Sequence, residues 1–199
     1  MELRSGDNRR GDRMLHSLNN DFIDPSFIDS IKRASDLERL RTGRHIIRDK
    51  RGWKTSSITI RGLWIVEIKP TFRDRGCLAM IHTDHGRNAY FCIPQESNVL
   101  LIGPFRVDWP DPIEEVLQHF DLWSARNEIS IDGIAYSFFV DTGDVQVAAS
   151  FINPRTTALV SLERAFLRVA TALSTNDSTN VIKEYLQGWV PYVYSGPAF

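Results

Sequence analysis

Apolar and polar residues alternate most regularly between residues 129 and 152, in three short runs that each place their apolar side chains on one face. The runs cover residues 129–131, 134–140 and 145–151, and Asp132-Gly133 and residues 141–144 separate them. Alternation with period two is typical of a half-buried β-strand, and Asp-Gly suits a tight turn because glycine accepts positive φ. The pattern predicts a three-stranded antiparallel meander.

The pattern then changes to helical spacing. Its apolar positions recur every three or four residues, at Leu159, Leu162, Phe166, Val169 and Leu173. Asn153 and Pro154 suit the N-cap and first helical positions, so we expect this amphipathic helix to begin there and to lie on the apolar face of the meander. A second helix is predicted after Asp177, and Pro191 ends it.

The first half of the chain predicts further helices and strands. Asp24-Pro25 is typical of a helix start, residues 35–38 form a capping box, and residues 58–68 read as a strand bulged at Gly62. Another helix is predicted to begin at Asp111-Pro112, with the aspartate as its N-cap.

Residues 77–83 and 88–93 predict a hairpin with two possible turns. A turn at His85-Gly86 is preferred, because glycine suits the second turn position, and it places Cys92 opposite Ala79. A turn at Asp84-His85 places Cys92 opposite Cys77 instead.

These elements favour the α+β class, with a mostly antiparallel sheet, helices packed on one face and a C-terminal helical pair. We expect a loosely held arm at residues 1–20, because this segment has little to bury, and a single domain at residues 21–199. The alternative divides the chain into two α+β units near residues 124–128.

The composition is that of a soluble globular protein of 199 residues, 42% of them hydrophobic and 25% charged. No apolar run approaches the roughly 20 residues that span a bilayer, and the polar N-terminus does not predict a secretory signal. Only two cysteines occur. We therefore expect a cytoplasmic protein without a membrane partner.

The net charge of −1 hides an asymmetry along the chain. Residues 1–75 contain 17 Lys and Arg against 11 Asp and Glu, whereas residues 76–199 contain 7 against 14. The densest basic segment runs from Lys32 to Lys54, and its main cations are Arg39, Arg41, Arg44, Arg48, Lys50 and Arg51. It is a possible site for nucleic acid, and the alternative is that it is solvated or docks on the acidic half of the chain.

Glu67 and Lys69 share one face of a predicted strand, because strand side chains alternate. A carboxylate there can bind a divalent metal, and a neighbouring lysine can stabilise developing phosphate charge. The pair resembles the second half of the PD-(D/E)xK nuclease motif, which implies Asp49 as the upstream acid and Glu38 as a further ligand. Asp49 does not follow a proline, and a hairpin rather than a helix is predicted after Lys69.

Two other groups carry reactive side chains. His82 and His85 flank Asp84 and include the ligand types that zinc prefers, but no second ligand pair accompanies them. Cys77 and Cys92 are expected to be small buried thiols. No glycine-rich phosphate-binding motif occurs, and we expect no cofactor.

The remaining candidate is an aromatic tail made of Tyr192, Tyr194 and Phe199, which either straps the core or forms part of an interface. Together with the charge asymmetry, it favours a non-enzymatic, cytoplasmic protein that binds another protein. Small bacterial immunity or antitoxin proteins offer an analogy in size and composition. The alternative is a metal-dependent nuclease that uses Asp49, Glu67 and Lys69.

Overall fold

The computed structural model describes residues 23–34, 60–119, 133–142 and 146–193, together with the backbone of residues 45–49 and 52–56. The predictions for residues 1–20, 35–38 and 129–131 lie outside these ranges, as does the candidate metal ligand Glu38. So do five of the predicted site residues, namely Arg39, Arg41, Arg44, Lys50 and Arg51, and two residues of the tail, Tyr194 and Phe199.

The strands are β1 (His45–Asp49), β2 (Gly52–Ser56), β3 (Ile60–Pro70), β4 (Gly76–Thr83), β5 (Gly86–Pro94), β6 (Val99–Val107), β7 (Ile134–Asp141) and β8 (Gln146–Ile152). The helices are α1 (Pro25–Ala34), α2 (Pro112–Gln118), α3 (Thr157–Ser174) and α4 (Val181–Trp189), and a 3-10 turn follows at Val190–Tyr192. The described chain is therefore α+β and ends in a helical pair, as the sequence predicts.

Six strands form one antiparallel sheet in the order β6-β5-β4-β3-β7-β8, and β1 pairs with β2 in a separate two-stranded sheet. The predicted bulge at Gly62 is confirmed by a register shift between Ile60 and Gly62. β7 pairs with β3 on one side and β8 on the other along almost its whole length. The β7–β8 hairpin of the predicted meander is confirmed, and the other edge of β7 is taken by β3.

The sheet separates two apolar cores. Trp64, Val66 and Ile68 of β3 face the core that α2, α3 and α4 cover, and Leu63 and Ile65 face the core that contains α1. The alternation predicted for this strand is confirmed, although both of its faces are buried. The prediction that the helices pack on one face of the sheet therefore holds for α2, α3 and α4. It is wrong for α1, which covers the opposite face beside β5 and β6.

The predicted helix starts have different outcomes. Asp111 caps α2 as predicted. However, α3 begins at Thr157 instead of at Asn153-Pro154. Asn153 adopts a positive φ of 46° and forms two hydrogen bonds with Ile134 of β7: its Oδ1 accepts from the backbone N–H, and its own N–H donates to the carbonyl. Asn153 therefore closes the sheet and does not cap the helix.

The turn between β4 and β5 lies at Asp84-His85, because Thr83 pairs with Gly86. The preferred turn at His85-Gly86 was wrong, and the positive φ of 126° falls on Gly86 just after the turn. Consequently Cys77 lies directly opposite Cys92. Within the described residues, no helix has both the length and the hydropathy needed to cross a membrane.

Candidate functional site

An open cleft of about 750 Å³ lies at one end of the large sheet. Four pieces of chain meet there: the beginning of β3, the β4–β5 turn, the end of β7 and the exposed side of α2. Trp64, Leu117 and Val140 provide apolar walls, and all three also contact the core under α2–α4. We call this feature the sheet-end cleft.

A buried carboxylate organises one wall of the sheet-end cleft. Asp111 Oδ2 accepts a hydrogen bond from Trp64 Nε1 at 2.7 Å and lies 3.2 Å from His82 Nε2. Asp111 Oδ1 accepts from the backbone N–H of Ile113 at 2.9 Å, which is the N-cap bond of α2. Residues from β3, β4 and α2 are thereby joined through one side chain.

The surroundings of Asp111 keep it ionised. Burial alone would raise its pKa, but the hydrogen bonds from His82, Trp64 and Ile113 hold the pKa below its ordinary value. Because an ionised carboxylate only accepts hydrogen bonds, Nε2 of His82 must carry a proton. This contact fixes the imidazole at the cleft wall, where the side chain is 22% exposed.

Charged groups of both signs surround the cleft mouth. Arg61 and Glu114 are exposed, and Arg87 is half-buried. Asp141 also lines the cleft, but it is buried and accepts a hydrogen bond from Gln146 Nε2 at 2.8 Å. The arrangement can therefore bind a mixed polar and apolar group.

The polar side chains of the β4–β5 turn are held in different ways. The hydroxyl of Thr83 donates to the carbonyl of Gly86 at 2.9 Å and accepts from His85 N, so it is held in the turn. Among the described residues, no three His, Cys, Asp or Glu side chains form a group that could hold a metal ion. His82 lies against Asp111, whereas His85 is exposed in the turn, so the two predicted metal ligands have different surroundings.

Glu67 is almost fully buried, at 1% exposure, and its carboxylate is surrounded by donors. Oε2 lies 3.2 Å from Lys69 Nζ and accepts from the backbone N–H of Asp24 at 3.1 Å. Arg75 lies 3.5 Å from Oε1 and also contacts Asp24 at 2.7 Å. Asp24 in turn accepts from Ser26 N in the first turn of α1. This network anchors α1 to the sheet.

The basic segment is described only in part. Arg48 and Asp49 lie on β1, opposite Trp53 and Gly52 of β2. Asp49 and Glu67 therefore belong to different sheets.

Cys77 and Cys92 are buried and free, as predicted. Burial, followed by the neighbouring Cys92 and Glu67, raises the pKa of Cys77 well above its usual range, and burial raises that of Cys92 to about 12. Thiols with such high pKa values are poor nucleophiles at neutral pH.

Only the beginning of the aromatic tail is described. Tyr192 is half-buried and packs with Val193 against the core under α2–α4. This part of the tail therefore straps the core, which is one of the two predicted alternatives.

The network of Asp111, His82 and Trp64 was not predicted from the sequence. Local patterns indicate Asp111 as an N-cap and His82 as a candidate metal ligand, but not their contact, which joins residues 29 positions apart. A local signal for the cap exists, whereas only the strand order brings the histidine to the cap.

Comparisons of the chain with protein families, with curated proteins and with solved structures found no match.

Proposed function

We propose that this chain is a non-enzymatic protein that binds another protein, and that a segment of the partner occupies the sheet-end cleft. The observation that carries the proposal is the composition of this cleft, with Trp64, Leu117 and Val140 in its walls and Arg61 and Glu114 at its mouth. Apolar centres with a polar rim are typical of protein interfaces. A polypeptide can satisfy charged groups of both signs while it buries an apolar side chain.

The cleft is large enough to admit a short segment of a partner protein. A volume of about 750 Å³ accommodates one or two large side chains with their backbone. His82 adds a hydrogen-bonding group whose position Asp111 fixes in advance. Because such a group is already ordered, binding to it costs little conformational entropy.

The cellular setting is part of the same proposal. A cytoplasmic location agrees with a chain that has only two cysteines, both buried thiols. A role resembling that of bacterial immunity or antitoxin proteins would use the cleft to hold a partner without chemistry. The acidic balance of residues 76–199 favours a basic partner surface around the cleft.

The experiment uses two neighbouring residues of α2 as a matched pair. Glu114 lines the cleft and Glu115 does not, although both are exposed. A photoreactive amino acid at Gln118, which also lines the cleft, would identify the partner by cross-linking in cells, with the same group at Glu115 as the control. The purified partner would then be titrated calorimetrically against Glu114→Lys and Glu115→Lys.

We expect Glu114→Lys to raise the dissociation constant by roughly tenfold or more, because it places a positive charge against a basic partner surface. Glu115→Lys should leave the dissociation constant nearly unchanged. Equal affinities for the two variants would contradict the proposal. So would the absence of any protein cross-linked from position 118 in preference to position 115.

The nuclease alternative stays a prediction, and the burial of Glu67 among three donors does not favour it. Its test is cleavage of DNA and RNA with Mg²⁺ or Mn²⁺. Cleavage by the wild type that is lost in a folded Glu67→Gln variant would replace the binding proposal with a catalytic one.

A further inference from the structure

We propose that two copies of this chain associate through the outer edges of their β8 strands, in an antiparallel pair with its two-fold axis at Ala149. No residue of β8 lines the sheet-end cleft, although Gln146 donates a hydrogen bond to Asp141 at its wall, so the inference goes beyond the proposed function. It rests on a difference between the two edges of the sheet and on the sequence of β8 read against its own reverse.

The two edge strands of the large sheet differ in how they prevent pairing. β6 contains Pro104, the charged Arg106 and a register shift opposite residues 89–91 of β5, and α1 packs beside it. Proline, charge, irregular register and a covering helix are the features that protect natural edge strands.

Within the part of the chain that the structure describes, β8 shows none of these features. Its seven residues contain no charge and no proline, and its register with β7 is regular from Ile152 to Gln146. Among the described strands, β7 is its only partner. An edge of this kind is a ready template for another strand.

The sequence of β8 is complementary to itself in the antiparallel direction. With Ala149 opposite Ala149, Val147 of one copy meets Phe151 of the other. The same register pairs Ala148 with Ser150 and Gln146 with Ile152. Phe151 is already buried within its own copy, so the gain in this register comes mainly from backbone hydrogen bonds along the edge, and no like charges oppose each other.

The exposure of β8 is consistent with an additional partner. Ala148, Ser150 and Ile152 share the face of the sheet that α1 covers elsewhere, but α1 lies beside β5 and β6, at the other end of the sheet. Ile152 is therefore 42% exposed. Pairing two β8 strands would shield this uncharged strip and join the two sheets into one of twelve strands.

The interface is small, which sets the expected strength. Seven residue pairs bury less than the roughly 1,200 Å² of a stable standard interface, so we expect a dissociation constant on the order of 10–100 µM. The two clefts would lie at opposite ends of the joined sheet, because the pairing is antiparallel. Such a dimer could engage two partners at once.

The test is sedimentation equilibrium of the full chain across this concentration range. We expect a monomer–dimer equilibrium. Ser150→Lys should raise its dissociation constant by roughly tenfold or more, because one positive charge from each copy then lies on the paired edges. Thr171→Lys, at an exposed position of α3, adds the same charge away from the edge and should leave the equilibrium unchanged. Thermal melts would verify that both variants are folded.

Ala149→Cys tests the two-fold register. A cysteine on the axis meets its own copy and should form an intermolecular disulfide with a mild oxidant, whereas Thr171→Cys should not. A monomer at all concentrations, a dimer equally sensitive to both lysine variants, or no cross-link at position 149 would each overturn the proposal. None of these results bears on the cleft, whose test uses Glu114 and Glu115.

Discussion

At the scale of single residues, Asp111 shows how one buried carboxylate can organise a site. It caps α2, accepts from the indole of Trp64 and orients His82. Burying a charge is costly unless hydrogen bonds replace its hydration, and here the donors come from three separate elements. The position of each donor therefore depends on the charge that they share.

Replacing Asp111 with asparagine should destabilise the protein by about 1–3 kcal/mol at neutral pH. The asparagine NH₂ group would face at least one of the donors from Trp64, His82 and Ile113, and it cannot accept from them. Urea denaturation with fluorescence detection measures the difference. Asp108→Asn is the control, because Asp108 is largely exposed.

The stability difference between wild type and Asp111→Asn should also depend on pH. The folded state lowers the pKa of Asp111 below its ordinary value of 3.8, so the unfolded chain binds the proton more tightly. The contribution of the carboxylate is therefore complete well above that value and is lost as the pH falls through and below it. A difference that stays constant between about pH 7 and about pH 2.5 would contradict this assignment.

Two other buried carboxylates follow the same physical rule. Glu67 is enclosed by Lys69, Arg75 and the backbone of Asp24, and Glu163 of α3 accepts a 2.6 Å hydrogen bond from the hydroxyl of Tyr136. Burial, and then the charge of Glu163, raise the pKa of Tyr136 well above its usual range, so the phenol remains a donor. Each carboxylate ties a helix to the sheet.

At the scale of secondary-structure elements, a corner beside β7 joins three segments of chain. The N–H of Gly133 donates a hydrogen bond to the hydroxyl of Thr71. The carbonyl of Gly133 accepts hydrogen bonds from both the backbone N–H and the hydroxyl of Thr71. Asn153, at the end of β8, holds the first residue of β7. Gly133 adopts a φ of +150°, and a Cβ there would collide with the side chain of Asn153.

Gly133→Ala should therefore destabilise the protein by about 1–3 kcal/mol, through backbone strain and displacement of Asn153. Gly188→Ala is the matched control, since it lies inside α4 and its Cβ would make only ordinary contacts with Arg73, at 3.6 Å or more. Alanine there should be neutral or slightly stabilising, because it favours the helix. Thermal unfolding of both variants measures the contrast, and equal melting temperatures would be the contradictory result.

Local patterns predicted the elements better than their connections. The spacing of Leu159, Phe166 and Leu173 identified α3, and alternation identified both faces of β3, because each depends only on neighbouring residues. The predicted start of α3 at Asn153-Pro154 was wrong because Asn153 forms its hydrogen bonds with Ile134 of β7. The same helical spacing places Glu163 inward, four residues after Leu159, so that buried carboxylate was detectable from the sequence.

The candidate site was less predictable than the fold. Its network joins residues 64, 82 and 111, and their approach depends on the order of strands in the sheet. Periodicity gives the faces of a strand but not its neighbours. The position of α1 on the opposite face depends in the same way on the distant Glu67, whose role in anchoring the helix has no local signal.

At the scale of the whole molecule, the central strand links the two halves of the sequence. β3 pairs on one side with β4, which precedes residues 124–128, and on the other with β7, which follows them. It also contributes to both cores, through Ile65 on the side of α1 and Ile68 on the side of α3 and α4. A division near residues 124–128 would therefore separate strands that are hydrogen-bonded along their length.

Ile65→Ala and Ile68→Ala test whether residues 21–199 act as one domain. Each side chain is at most 1% exposed, so each substitution should cost about 2–5 kcal/mol, from lost burial and a new cavity. In one cooperative domain, both variants shift a single transition that circular dichroism and fluorescence report at the same denaturant concentration. In a chain divided near residues 124–128, unfolding would be biphasic, and both substitutions, which precede the division, would shift the phase of the first unit and leave the other phase unchanged. Because the two residues lie three positions apart on one strand and face different cores, coincident shifts would show that the sheet couples the cores.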